Sequence, residues 1–178
     1  MTPEEFRKVF LPEGRRLYAL AFRYLNNREE AEDVVQEVMM KLWEERENSD
    51  RYSNPAGWCT TVTRNHCIDL LRRRKRMIMD DIREGNTMTE KVDEIFGTND
   101  SNEAASLVTS IVGRMKEPYR SAVILRDIEG YSYEEAAEAM KTSVGALRTV
   151  LSRARKSIRE EMERIYNYGT GKDTKTAR

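Results

Sequence analysis

The stretch SYEEAAEAMKTSVGALRTVLSRARKSIR, residues 132–159, decides the fold. It begins with Ser132, whose hydroxyl can accept from the third residue of a helix, and Glu135, whose carboxylate can reach back to the Ser132 amide: a reciprocal capping box. A second cap, Ser143, follows Met140 so closely that only a sharp corner fits between them. The spacing predicts two helices joined by a tight turn, the arrangement of a helix-turn-helix. At about 100° per residue, Val144, Leu147, Leu151, Ala154 and Ile158 share one side of the second helix, with Gly145, Thr149, Ser152 and Lys156 roughly opposite. Arg148, Arg153, Arg155 and Arg159 flank that outer face. An apolar back and a front of small polar residues edged by arginines can enter a major groove, where guanidinium forks match guanine edges and phosphates. A lone basic helix is often only a solvated face; the caps, the short turn and the small front residues together point to nucleic acid.

Upstream, two further apolar patterns with helical spacing follow one another: Leu17, Leu20, Ala21, Tyr24, Leu25, then Ala31, Val34, Val35, Val38, Met39, Leu42. Asn27, with Glu30 three residues later, separates them as a cap. A third helix is predicted from Asn54-Pro55, a capping amide followed by a proline suited to the first helical position, to the RRRKR cluster at Arg72–Arg76. On it Trp58, Asn65, Asp69 and Arg72 fall in one narrow band, which Tyr52 just upstream could join. Aromatic rings stack on unpaired bases, amides read base edges and arginines hold backbone, so the band suits a single DNA strand. A tryptophan alone is more often a core residue.

The net charge of zero hides a segregation. Residues 1–79 hold 15 basic and 13 acidic side chains, 80–103 hold 2 and 8, and 104–178 hold 14 and 10, so the segments carry +2, −6 and +4. Gly85, Asn86, Gly97, Thr98, Asn99 and Asp100 interrupt the acidic middle, which reads as a flexible linker. Helix is expected again near Ala104, then from Pro118 through Ile128 with a stop at Gly130. The final GTGKDTKTAR has nothing to bury and is expected to fray. The prediction is an all-α chain of two small helical domains, 1–79 and 104–168, joined by an acidic linker at 80–103 and followed by a disordered tail at 169–178.

Several classes are disfavoured. Cys59 and Cys67 are eight positions apart, too far along one helix to bridge, and His66 is the single histidine, so a disulfide or a zinc cage is not expected. Buried thiols in a reducing cytosol fit better. No apolar export signal or membrane-length run occurs, which makes the expected location cytoplasmic, without membrane insertion. Nothing forms a nucleophile–base pair or a metal–carboxylate group, so no enzymatic activity and no cofactor are expected.

These segments resemble the extracytoplasmic-function (ECF) group of the sigma-70 family, bacterial initiation factors that direct RNA polymerase to promoters. REEAEDVVQEVMMKLWE looks like the family's polymerase-docking segment, NPAGWCTTVTRNHCIDLLRRRKR like its promoter-opening helix, and residues 117–160 like its C-terminal helix-turn-helix. The resemblance implies that Asp33, Gln36 and Glu37 help bind the clamp helices of the core RNA polymerase β′ subunit. It implies that Tyr52, Trp58, Asn65 and Asp69, with Arg72 and Arg73 on the backbone, face the −10 element of promoter DNA. Arg148, Thr149, Ser152 and Arg153 match positions facing the −35 element. An anti-sigma factor is the further partner the family implies. The chain departs from the usual Thr-Val-Lys/Arg-Ser-Arg at Ala146 and Val150, which bears on −35 preference. Asp69, an uneasy neighbour for phosphate, is expected to orient Arg72 or Arg73 or to accept from a base amine. The rivals are a polymerase-independent helix-turn-helix regulator, which predicts dimers on a palindrome, and a helical adaptor that binds only protein.

Overall fold

The computed structural model describes residues 2–47, 54–83 and 103–170. Among them there are helices and no strand. The first helices are α1 (Pro3–Phe10), α2 (Glu13–Leu25), α3 (Arg28–Glu44) and α4 (Pro55–Arg83). Then come α5 (Glu103–Arg114), α6 (Tyr119–Val123) running into a π turn at Ile124–Ile128, α7 (Tyr133–Ala139) and α8 (Val144–Thr170).

Each boundary has a local cause. Thr2 and Glu5 form a reciprocal box that opens α1 with Pro3 inside its first turn. Periodicity does not announce so short a helix. Asn26, at φ 49°, closes α2 in the left-handed conformation asparagine tolerates, and Asn27 then accepts from the Glu30 amide at 3.1 Å to open α3. The Glu30 carboxylate does not complete that box; it pairs across to Arg74 on α4. Asn54 caps α4 by accepting from the Gly57 amide at 3.1 Å.

Two ends differ from expectation. α4 continues past the basic cluster to Arg83, because no glycine or proline intervenes before Gly85. α8 runs through Thr170 rather than ending at residue 168, since Gly169 alone does not stop a helix already 25 residues long. The segment from Pro118 is not one α-helix: it widens to a π turn, with the Glu129 amide donating to the Ile124 carbonyl at 2.9 Å before Gly130 turns at φ 71°. Tyr52, most of the acidic linker and the end of the tail lie outside the described residues.

α2 packs against α3 and α4, burying Leu17, Leu20, Ala21, Tyr24 and Leu25 against Ala31, Val34, Val38 and Leu42 and against Cys59, Cys67 and Ile68. In the C-terminal half, α6 packs against α8, and Ala122, Val123, Ile124 and Leu125 share a buried cluster with Leu147, Leu151 and Ala154; the π turn lies against α2 and α7. The halves touch each other. α7 lies on α4, and the buried Tyr24 hydroxyl donates to Ser121 Oγ at 2.7 Å. Arg120 Nη2 donates to the Tyr24 carbonyl at 2.8 Å, so a polar seam crosses the boundary between the two helical domains.

Candidate nucleic-acid interface

The capping logic read from residues 132–159 is realised atom by atom. Ser132 Oγ accepts from the Glu135 amide at 3.1 Å and the Ser132 amide donates to Glu135 Oε2 at 2.8 Å. Burial raises the Glu135 carboxyl, but the Ser132 backbone bond and the neighbouring Arg16 guanidinium outweigh it and hold the group below its ordinary value. Lys141 makes the corner at φ 52°, and Ser143 Oγ accepts from the Ala146 amide at 3.1 Å to start α8.

With Leu147, Leu151 and Ala154 buried, the opposite side of α8 is left in solvent: Arg148, Thr149, Ser152 and Arg153 are all exposed. Arg148 lies 5.1 Å from the centre of the Tyr133 ring, which also meets Arg126 at 4.5 Å, so α7 helps aim this arginine. Arg155 is committed elsewhere. It donates a fork of two bonds, 2.9 and 2.6 Å, to Asp127 in the π turn, and that hydrogen-bonded pair raises its already high pKa further. The sequence pattern placed Arg155 with the other flanking arginines; the structure makes it a brace for α8.

The band on α4 is graded. Trp58 and Asn65 are half-buried, Trp58 against the core, whereas Asp69, Arg72 and Arg73 are exposed. Asp69 Oδ1 lies 3.6 Å from Arg72 Nη1, a distance at which the carboxylate steers the guanidinium. Within RRRKR the third arginine faces inward: Arg74 pairs with Glu30, and burial lowers its pKa. Arg72, Arg73, Lys75 and Arg76 remain in solvent.

On α3, Asp33, Gln36 and Glu37 are exposed over a buried back of Ala31, Val34 and Val38. Met40, one turn further along the same side, is 61% exposed and adds an apolar contact to that face. Glu37 Oε2 sits 3.3 Å from His66 Nε2 on α4, which links the α3 face to the α4 helix. Neither Met40 nor His66 stands out in the sequence, because an exposed methionine follows no pattern and the histidine's partner is 29 positions away. Arg64 was equally silent. It donates to Ser121 Oγ at 3.0 Å and to Asn65 Oδ1 at 3.0 Å, and reaches Glu117 at 3.4 Å.

An all-helical body that exposes a basic helix-turn-helix face on α8 and a second, acid–amide face on α3 has the framework of a DNA-binding protein with room for a protein partner. Comparison with known families narrows this. The Sigma-70 region 2 family matches residues 10–77, covering α2, α3 and most of α4, and the Sigma-70 region 4 family matches residues 106–158, covering the helix-turn-helix. The chain is 32% identical over 149 residues to the ECF RNA polymerase sigma factor SigE of Mycolicibacterium smegmatis, spanning 82% of this chain and 56% of that longer relative. It is 25% identical to the ECF RNA polymerase sigma factor SigW of Bacillus subtilis, with 83% of each covered. A solved structure of the sigma factor RpoE from Bartonella quintana, in complex with the anti-sigma factor NepR, matches with a TM-score of 0.67. That match has 26% identity and covers 90% of this chain and 98% of that one. The chain belongs to the ECF group of the sigma-70 family. No helix among the described residues is long and apolar enough to cross a membrane.

Proposed function

We propose that this chain works in the cytoplasm as an initiation factor that carries core RNA polymerase to promoters and contributes no covalent chemistry of its own; nucleotidyl transfer belongs to the polymerase. The observation that carries the reading is the face of α8, where Arg148, Thr149, Ser152 and Arg153 stand together in solvent opposite the buried Leu147, Leu151 and Ala154. Thr149 and Ser152 are short enough for close approach to base edges, and the two arginines can fork onto guanine or phosphate of the −35 duplex. On α4, Trp58 supplies a stacking plane, Asn65 an amide edge, and Arg72 and Arg73 the phosphate grip for the −10 strand, with Asp69 steering Arg72. Asp33, Gln36 and Glu37 dock on the β′ clamp helices, where Met40 adds a desolvated centre to a polar contact.

The domain division at 1–79, 80–103, 104–168 and 169–178 is part of the same proposal. The linker's charge of −6 suits a polymerase channel lined for phosphate. Because the Bartonella quintana relative was solved with an anti-sigma factor, a comparable inhibitory partner is proposed here. Run-off transcription with core polymerase on a library of randomised promoters tests the reading directly. Transcripts starting downstream of a shared pair of elements are expected; start sites independent of the added chain would refute it.

A further inference from the structure

Sulfur occurs in two settings on the N-terminal domain. Cys59 and Cys67 are sealed in the core, whereas the thioethers of Met40, Met77 and Met79 stand in solvent at 61, 69 and 48% exposure. The other described methionines, Met39, Met115, Met140 and Met162, are half-buried. A thioether has no proton to lose and keeps its lone pair at any pH, so access decides which one meets an oxidant.

Position then separates the three. At about 100° per residue, Val34, Val38 and Leu42 lie within about 60° of Ala31 and form the buried back of α3. Met40 falls about 180° from Ala31, between Gln36 at about 140° and Asp33 at about 200°, with Glu37 at about 240°. It therefore stands in the middle of the acid–amide face. Both flanks of that face are engaged within the domain: Glu37 Oε2 sits 3.3 Å from His66 Nε2 of α4, and on the other side the Trp43 ring meets Phe6 of α1 edge-on at 5.2 Å. Met40, between them, keeps most of its surface in water, and its apolar area is removed from water only when a partner covers α3. Met77 and Met79 are elsewhere. α4 runs antiparallel to α3, with His66 beside Glu37 and Arg74 beside Glu30, which carries both methionines past the α3 N-terminus, about 20 Å along the helix from Met40.

We propose that Met40 is a site of reversible oxidation, and that its sulfoxide form releases the chain from core polymerase. The release rests on α3 being the polymerase-docking face proposed above; the access of oxidant to this sulfur does not. The lone pair of the sulfur attacks one oxygen of hydrogen peroxide, and the S–O bond forms as the O–O bond breaks. The departing hydroxide takes the proton of the transferred oxygen and leaves as water. Sulfur loses two electrons and the peroxide gains two, so no further reactant is needed. The product is a polar S=O group at the dry centre of the contact, where it has to surrender its bonds to water. A methionine sulfoxide reductase returns the thioether. Oxidation of Met77 or Met79 leaves docking untouched, which supplies an internal comparison.

Peroxide treatment of the full-length chain tests this, with peptide mass mapping and titration against labelled core polymerase. The Met40 peptide should gain one oxygen while the Cys59 and Cys67 peptides stay unchanged, and affinity should fall about tenfold. Methionine sulfoxide reductase should restore both mass and affinity. Met40→Leu should hold its own starting affinity through treatment, whatever that level is, whereas Met77→Leu with Met79→Leu should lose affinity as wild type does. An unmodified Met40 peptide would overturn the proposal, as would a fully oxidised one with undiminished affinity, or a Met40→Leu chain that loses affinity on treatment. Asp33→Lys with Glu37→Lys keeps the two readings apart. If that variant binds polymerase as wild type does, the docking face itself is misplaced; if it binds poorly while oxidised wild type binds well, only the role of Met40 fails.

Discussion

The two helices proposed to face DNA are presented in opposite ways. On α8 the four candidate residues are exposed, and their aim is set by a buried back and by the brace from Asp127 to Arg155. On α4 the band starts half-buried, with Trp58 against the core and Asn65 held by Arg64, and becomes exposed only at Asp69, Arg72 and Arg73. A duplex offers its groove edges without being opened, so a reader of duplex can be preformed. A single strand exists only after melting, and the groups that hold it can stay engaged inside the protein until then. The difference between the helices matches the difference between the two states of DNA they are proposed to meet.

The strongest way to break this contrast is to remove the support of α8. Leu151→Ala deletes a side chain that is 1% exposed and should cost about 2–5 kcal/mol of stability, read as a shift in the urea midpoint. A smaller loss would mean that α8 is not held by its back. Next, Arg148→Ala with Arg153→Ala should leave stability unchanged while costing about 1–3 kcal/mol per contact in upstream duplex engagement, measured by promoter competition in run-off assays. Unaltered competition would remove these residues from the interface. Asn65→Ala sharpens the other side: opening, followed by the fluorescence of 2-aminopurine in the −10 element, should fall about tenfold with initial docking intact, about 1.4 kcal/mol. Docking lost with opening intact would reverse the division of labour. The smallest effect expected is with pH. Glu135 is held below 4.5 in the folded chain, so the stability it lends is complete above that value. It declines as pH falls through the depressed folded pKa; the thermal midpoint of Glu135→Gln should therefore converge on wild type under acid.

Much of this was legible in sequence because it is local. The Ser132–Glu135 box, the Ser143 cap and the apolar back of α8 all lie within four residues or a helical repeat, where side-chain chemistry and period fix the geometry. The exposure of Asp33, Gln36 and Glu37 followed from the same periodicity. What escaped is non-local. Arg155 belongs to Asp127 and Arg74 to Glu30, which divides basic clusters that composition treats as uniform. The π turn at Ile124–Ile128 has no residue signature: ILRDI reads like any apolar-rich stretch of α-helix. Arg64, Glu117 and Ser121 are distant in sequence, and a contact between domains obeys no helical period.

Cys59 and Cys67 are fully buried, and burial drives both thiols up to about 12. At neutral pH only about one sulfur in a hundred thousand is then the nucleophilic thiolate, and peroxide cannot reach it without unfolding the N-terminal core. Its cysteines are therefore deaf to oxidants on their own account. An oxidative alarm sensed through thiol chemistry has to be heard by another molecule and relayed to this one by contact.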